Sequence, residues 1–386
     1  MLCVAHFAAN PLIVTYAEYL GAGVRLAGLL AGMFFGVALI FRPIVGPAMT
    51  KLDKRKLLVY VFILGAIANL GYALFHNITA FVLFRFLSGV QFSFVGALLM
   101  SLAADHLPGK KLAAGMGVFG TGASVGNAVG TTIGEAIFRA GTNARSEGHG
   151  FTLMFLFGAI ILALSIIPTL LMTPDKKKKE DIASAGAWYK NIFTINALPT
   201  TIVMLFTTIP FAMIFVYMLE FGWERNIAGI NLFFPVLAGA LALTRPIGGY
   251  LIYKFGIAPV IYPALTLFAI SLLVIGSSHT LTMLLIGAVL AAIGSGFSQP
   301  TLQAMCMQTE TPLRRGVAAN TAFTAIDTGL FLGPVIGGLV RYQAGFAVMF
   351  RTSAIPIGIA IICLIVIMPI HKRRVEEMER TYNQDT

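Results

Sequence analysis

A chain of 386 residues that is 58% hydrophobic and only 11% charged, with a mean hydropathy of +0.86, is not a water-soluble domain, in which about a quarter of residues carry charge. Its length holds about a dozen membrane spans of ~20 residues, each ~30 Å long, and leaves little for a soluble domain. The net charge of +11 is placed along the chain as a topology signal, which argues against a nucleic-acid partner.

Apolar runs separated by short polar breaks predict an all-α polytopic membrane protein with helices over residues 1–20, 26–48, 57–75, 80–102, 113–138, 151–172, 196–219, 228–250, 258–276, 280–303, 317–340 and 346–370. The first run starts at Met1 without a basic segment ahead of it and lacks a small-residue cleavage site, so it reads as a span and not as a signal peptide.

Orientation follows from Lys and Arg, because basic loops resist translocation. Placing both termini in the cytoplasm puts most of the 27 basic residues on the inner side, in Lys51 to Lys56, Lys110 and Lys111, Lys176 to Lys179, Lys190, Lys254, Arg314, Arg315 and the tail from Lys372 to Arg380. Arg25, Arg139, Arg145, Arg225 and Arg341 fall outside, and Arg42, Arg85, Arg245 and Arg351 lie within or at the edges of spans. One inner segment, PDKKKKEDIASAGAWYKN from Pro174 to Asn191, is charged, then small, then interfacial, as suits a linker lying along the cytoplasmic surface. The expected organisation is an N-terminal six-helix bundle (1–172), a cytoplasmic linker (173–195), a C-terminal six-helix bundle (196–370) and a cytoplasmic tail (371–386).

The two halves repeat. FRPIVG, with Arg42 and Pro43, returns as TRPIGG, with Arg245 and Pro246; Gly89 maps onto Gly294, Pro108 onto Pro312 and Gly130 onto Gly333. Four landmarks at nearly one offset mark a duplicated unit. On these residues the chain resembles the major facilitator superfamily over essentially its whole length, and the resemblance implies that family's fold of two pseudo-symmetric six-helix bundles. In the family the loop between helices 2 and 3 carries Gly-x-x-x-Asp-x-x-Gly-Arg-Lys. Here Gly46 and the basic end Lys54-Arg55 match, Thr50 replaces the Asp and Asp53 the second Gly, and the counterpart from Gly249 to Gly256 also lacks the Asp.

Further matches carry functional implications. Arg85-Phe-Leu-Ser-Gly89 is similar to the Arg-x-x-x-Gly signature, whose intramembrane Arg the family implicates in proton coupling. Gly333-Pro334-Val-Ile-Gly337-Gly338 is similar to the antiporter-associated Gly-Pro-x-x-Gly-Gly signature in full, and Gly130-Thr-Thr-Ile-Gly134-Glu135 in part. The RPIxG pair and the ANTAFTAIDTG stretch are similar to compact bacterial exporters, including those for opine-type metallophores.

Glycines four apart share a helical face and let a neighbouring backbone approach closely. Gly130 with Gly134, and Gly333 with Gly337, are therefore expected to form either a moving seam or a plain packing seam; Gly122 and Gly126 extend the first, which should face a helix of the opposite half.

An acidic group at a helix centre costs on the order of 2.5–3.5 kcal/mol on insertion scales, so such residues face water or paired bases. Asp327, near the midplane of helix 11, is the leading proton-titrating or substrate-coordinating carboxylate, against a structural polar contact. Glu18 and Arg85 are expected to pair across one cavity, either exchanging a proton or as a static pair. Glu135 has Arg139 four residues on, which makes a local pair the alternative to a coupling role. Glu220 reads as a solvated helix end. Arg42 and Arg245 are gating candidates together with Gly46 and Pro334, each Arg reaching headgroups or the last carbonyls of a facing helix. Asn10, Tyr16, Gln91, Asn127, Tyr217, Gln299 and Gln303 are candidate substrate-cavity residues, or polar ties between helices.

Enzyme chemistry is not encoded: no Walker-type loop, His-Glu-x-x-His or Gly-x-Ser-x-Gly appears, and His6, His106 and His279 do not cluster. Cys3, Cys306 and Cys363 sit singly, without metal-ligand spacing. No cofactor and no metal are expected; the expected partners are a small-molecule substrate, protons and membrane lipid, with the chain a monomer in the cell membrane. The leading functional expectation is export of a small organic compound in exchange for protons by alternating access, with proton-coupled uptake or facilitated diffusion as the alternative and a non-transporting sensor as the remote one.

Overall fold

The computed structural model describes residues 1–9, 12–107, 112–172, 188–311 and 314–384. Pro108, Pro312, Asn10, Pro11 and most of the linker lie outside them. The helices are α1 (Leu2–Ala9), α2 (Ile13–Tyr19), α3 (Val24–Lys51), α4 (Lys54–Leu74), α5 (Ile78–Asp105), α6 (Leu112–Ala144), α7 (Glu147–Leu164), α8 (Ile166–Leu171), α9 (Leu198–Glu224), α10 (Phe233–Phe255), α11 (Ala258–Ser277), α12 (Leu281–Gln308), α13 (Arg315–Thr352) and α14 (Ala354–Gln384).

Nine stretches of described residues are long and apolar enough to cross a membrane. The last, Arg315–Glu377, has 63 residues, about 95 Å of helix, three times the ~30 Å hydrocarbon layer. Gly345, at φ 79° and ψ 170°, breaks it into two passes. Adding α1 with α2, and the glycine-rich α6, gives the twelve passes that the hydropathy predicts. Helix starts are set by side chains that accept an otherwise unsatisfied amide. Asp53 caps α4 by accepting from Lys56 N at 3.1 Å, which explains its presence in the degenerate loop motif; Ser146 caps α7 and Thr280 caps α12. The preceding helix α6 runs to Ala144, six residues past its expected end. The tail is not a loose end: α14 continues as helix to Gln384, with Arg373 bonded to Glu377 one turn on at 3.0 Å.

Two compact units result: Met1–Leu99 with Ala123–Ile192, and Met100–Gly122 with Phe193–Thr386. The first is filled by an aromatic cluster in which the buried Tyr16 ring is surrounded by Phe81, Phe151 and Phe155 at 5.5, 4.9 and 4.8 Å. In the second, α9 packs along α13, and α12 along both α10 and α11.

The repeat survives as packing. On α6, a methyl added at Gly130 would fall 2.5 Å from the Val4 carbonyl oxygen, and one at Gly126 2.8 Å from Cys3 Cβ, while Gly134 backs onto Ala8; all three face α1. On α13, a methyl at Gly333 would fall 2.6 Å from the Ile209 carbonyl oxygen and one at Gly337 2.8 Å from the Tyr217 ring, both on α9. The fifth span thus seats on the first, and the eleventh on the seventh. This corrects the expectation that the Gly126 to Gly134 face meets the opposite half: close approach needs a helix of small residues, and α1 offers Cys3, Ala5, Ala8 and Ala9. At Gly122 nothing among the described residues lies within 4 Å of an added methyl. The first turns of α6 belong to the second unit, where Gly117 packs against the Arg245 carbonyl. A second correction concerns Gly89, which packs on α3 beside Val37. Its packing counterpart is Gly296, set against Leu241 and Thr244 of α10, whereas Gly294 faces Phe268 of α11.

Candidate functional site

In the first unit, α1, α3, α4, α5 and α7 enclose a cavity that leaves about 30 Å³ for the centres of water-sized spheres, room for about two waters. Its polar wall is His6, Asn69, Tyr72, Arg85, Ser88 and Gln91. Arg85 is 4% exposed. Its guanidinium carbon lies 4.7 Å from the Phe34 ring centre and its Nε donates to the Leu30 carbonyl at 3.3 Å, which fixes the plane of the group. The Tyr72 and Ser88 hydroxyls are hydrogen-bonded at 3.0 Å, and the Tyr72 hydroxyl stands beside Arg85. The His6 ring stacks on Phe34 and on Phe92, at 4.8 and 5.3 Å, and those two rings touch each other at 4.6 Å. Gln91 is 4% exposed, and its Nε2 has no hydrogen-bond partner among the described residues.

The other candidates of this unit scatter. Glu18 is exposed, and no ion pair between it and Arg85 is found among the described residues: it sits on the last turn of α2, turned outward, while Arg85 is buried in the helix packing. Tyr16 is sealed in the aromatic core, where its hydroxyl donates to the Tyr72 carbonyl at 2.8 Å, so it is a core residue and not a cavity residue. Glu135 is exposed and paired with Arg139 at 2.6 Å, the local pair that the four-residue spacing allows. Asn127 is half-buried, and its Oδ1 has no hydrogen-bond partner among the described residues. Arg42 is 1% exposed and donates to the Ser93 carbonyl on α5 at 2.5 Å; buried inside the bundle, it reaches a mid-helix carbonyl and not the headgroups. Gly46 lies under the segment entering the second half, since a methyl there would fall 2.8 Å from the Ile192 carbonyl oxygen.

In the second unit Asp327 is 1% exposed, about 18 Å along α13 from Arg315. Two residues on, Gly329 presses against Thr208 of α9; at 100° per residue Asp327 projects from a different face of α13. Tyr217 donates to the Pro334 carbonyl at 2.6 Å; Pro334 supplies no amide to the turn it occupies, and the phenol ties that turn to α9. Glu220 is not merely solvated: it pairs with Arg341, whose guanidinium lies 4.1 Å from the Phe346 ring centre. Arg245 donates from Nη1 to the Gly120 carbonyl on α6 and from Nη2 to Gln299 at 3.3 Å. Gln303 is half-buried on α12.

Three features escape a reading by motifs. His6 looks isolated, yet it joins Arg85 because Phe34 carries both. Arg315 meets Asp105 at 3.9 Å and the Ala104 carbonyl at 2.9 Å. Glu310, 6% exposed, accepts from Thr194 and from Asn196 at 3.0 Å and faces Arg314 at 3.5 Å. Asp105 and Glu310 stand at the offset of the internal repeat, which is the signal that would have found them.

Comparison with known proteins places this geometry. The chain is 22% identical over 372 residues to the staphylopine export protein of Staphylococcus aureus, covering 91% of this chain and 90% of that one. Its fold superposes on the human organic anion transporter MFSD10 with a TM-score of 0.76 and 16% identity, covering 94% of this chain and 96% of that one. The fucose:proton symporter FucP of E. coli superposes with a TM-score of 0.75 and 14% identity, covering 97% and 96%. The family profile described as Major Facilitator Superfamily matches residues 1–241 and again residues 197–382, so that both repeats are recognised and the chain belongs to the Major Facilitator Superfamily.

Proposed function

We propose that the protein is a secondary transporter of the cell membrane that couples movement of a small organic molecule to protons by alternating access, with both termini in the cytoplasm. The observation that carries this reading is the placement of two costly groups, Arg85 at 4% and Asp327 at 1% exposure, well inside long apolar helices. A buried charge there is retained where it serves an ion or substrate path. Asp327 is the proposed proton-titrating carboxylate and Arg85 the charged group that tunes the first unit. Uptake with protons is the first reading for direction, supported by the likeness to the fucose:proton symporter. Export in exchange for protons is the second, supported by the complete Gly333 to Gly338 signature and by similarity to the staphylopine export protein.

The test is transport by the full chain in liposomes under an imposed pH gradient, on solutes first selected by thermal shift. Inward movement of solute that acidifies the lumen supports symport, and alkalinisation on entry supports exchange. Equilibration indifferent to pH sinks the coupling. Asp327→Asn is expected to abolish pH-driven accumulation; accumulation at the unaltered rate removes Asp327 from the proton path.

A further inference from the structure

The cavity of the first unit has a chemical bias. Its wall offers a guanidinium, the amides of Asn69 and Gln91, two hydroxyls and an imidazole, and among the described residues no carboxylate lines it. Gln91 packs against the bare backbone of Gly65, where its Cγ would lie 3.0 Å from an added methyl. Its Nε2, in a side chain 96% removed from solvent by the 4% exposure quoted above, has no hydrogen-bond partner among the described residues. A buried donor left unsatisfied costs about 1–3 kcal/mol. Such a cost is offset when an acceptor enters.

We propose that this cavity seats a carboxylate, and that the molecule carried is an organic acid in its anionic form. This rests on the transport reading and names the substrate class for it. The volume fits the group: space for about two waters is space for two carboxylate oxygens, with the carbon skeleton left outside the polar wall. The geometry fits as well, because a guanidinium whose plane is fixed by Phe34 and the Leu30 carbonyl presents a fork matched to a planar carboxylate. A neutral amide of the same shape brings an NH₂ group toward the donors of Arg85 and Gln91. It is rejected for that reason.

The test uses the purified full chain and pairs of probes that differ in charge alone: acetate, lactate and benzoate, each against its primary amide. At least one acid is expected to raise the melting temperature in a saturable way while its amide does not. Gln91→Glu, which keeps the shape and adds a repelling charge, and Arg85→Gln are each expected to weaken that response about ten-fold or more; should Arg85→Gln not fold, Gln91→Glu carries the comparison. Acids and amides acting alike, no acid acting, or a full acid response in Gln91→Glu each overturns the proposal. Acid binding without pH-driven flux in liposomes would overturn the transport reading and leave the site standing. Flux confined to neutral or cationic solutes would do the reverse.

Discussion

Arg315 stands 3.9 Å from Asp105 and donates to the neighbouring Ala104 carbonyl at 2.9 Å, across 211 residues of sequence. Asp105 ends α5 and Arg315 begins α13, so the end of the fourth span is tied to the start of the eleventh. Arg245 makes a parallel tie from α10 to the Gly120 carbonyl on α6. Together these bonds explain why residues 100–122 fold with the second unit although the chain delivers them with the first half.

Arg315→Ala removes both the ion pair and the carbonyl bond. The two side chains are 16% and 25% exposed, so the expected loss is about 1–2 kcal/mol, more than an exposed pair contributes. Asp105→Ala should cost less, because the Ala104 bond survives, and the double variant should fall short of the sum. Fluorescence-monitored unfolding in detergent checks this; strict additivity would mean the pair does not interact.

Glycine substitutions separate a seam from an open face. Gly130→Ala and Gly333→Ala each push a methyl to 2.5–2.6 Å from a backbone oxygen of the partner helix, and each is expected to lower stability by about 1–3 kcal/mol. Gly122→Ala meets nothing within 4 Å among the described residues and should be neutral or stabilising by up to ~1 kcal/mol, since Ala is the better helix former. The order of the three melting temperatures is the measurement.

Glu310→Ala strands the donors of Thr194, Asn196 and Arg314, for an expected cost of about 2–3 kcal/mol. Glu310→Gln keeps one acceptor and should retain part of the stability. Melting temperatures of both variants equal to the parent's would show that the charge and its hydrogen bonds contribute nothing at this position.

Tyr217→Phe removes the 2.6 Å bond to the Pro334 carbonyl while keeping the ring beside Arg341. The expected loss is about 1 kcal/mol, seen as faster hydrogen exchange in the turn of α13 around Pro334. Exchange at the parent rate there would show that the phenol does not brace that turn.

The passes of this protein are legible because hydropathy encodes them directly: a bilayer demands runs of apolar residues, and the chain supplies them between basic loops. What a run does not encode is which neighbour it meets. The frame of Gly130 and Gly134 announces a face of small residues, but the identity of its partner depends on α1 being equally small at Cys3, Ala5 and Ala8. Glu135 was readable from its spacing to Arg139 because that pair is local. Glu18 was not, since its depth in α2 is compatible with Arg85 while its direction is not. His6 and Gln91 show the same limit from the other side: each is an ordinary polar residue in its own helix. Only the meeting of α1, α3, α4 and α5 around one small void gives them a shared environment.

The turn joining the last two spans is centred on one residue, Gly345, with open space around it and a backbone angle that other residues adopt only under strain. A hairpin so short carries no slack. Any tilt of the helix bearing Asp327 must drag the terminal helix along, so a cysteine cross-link or bulky label on the exposed Tyr342 would act as a handbrake on both passes at once.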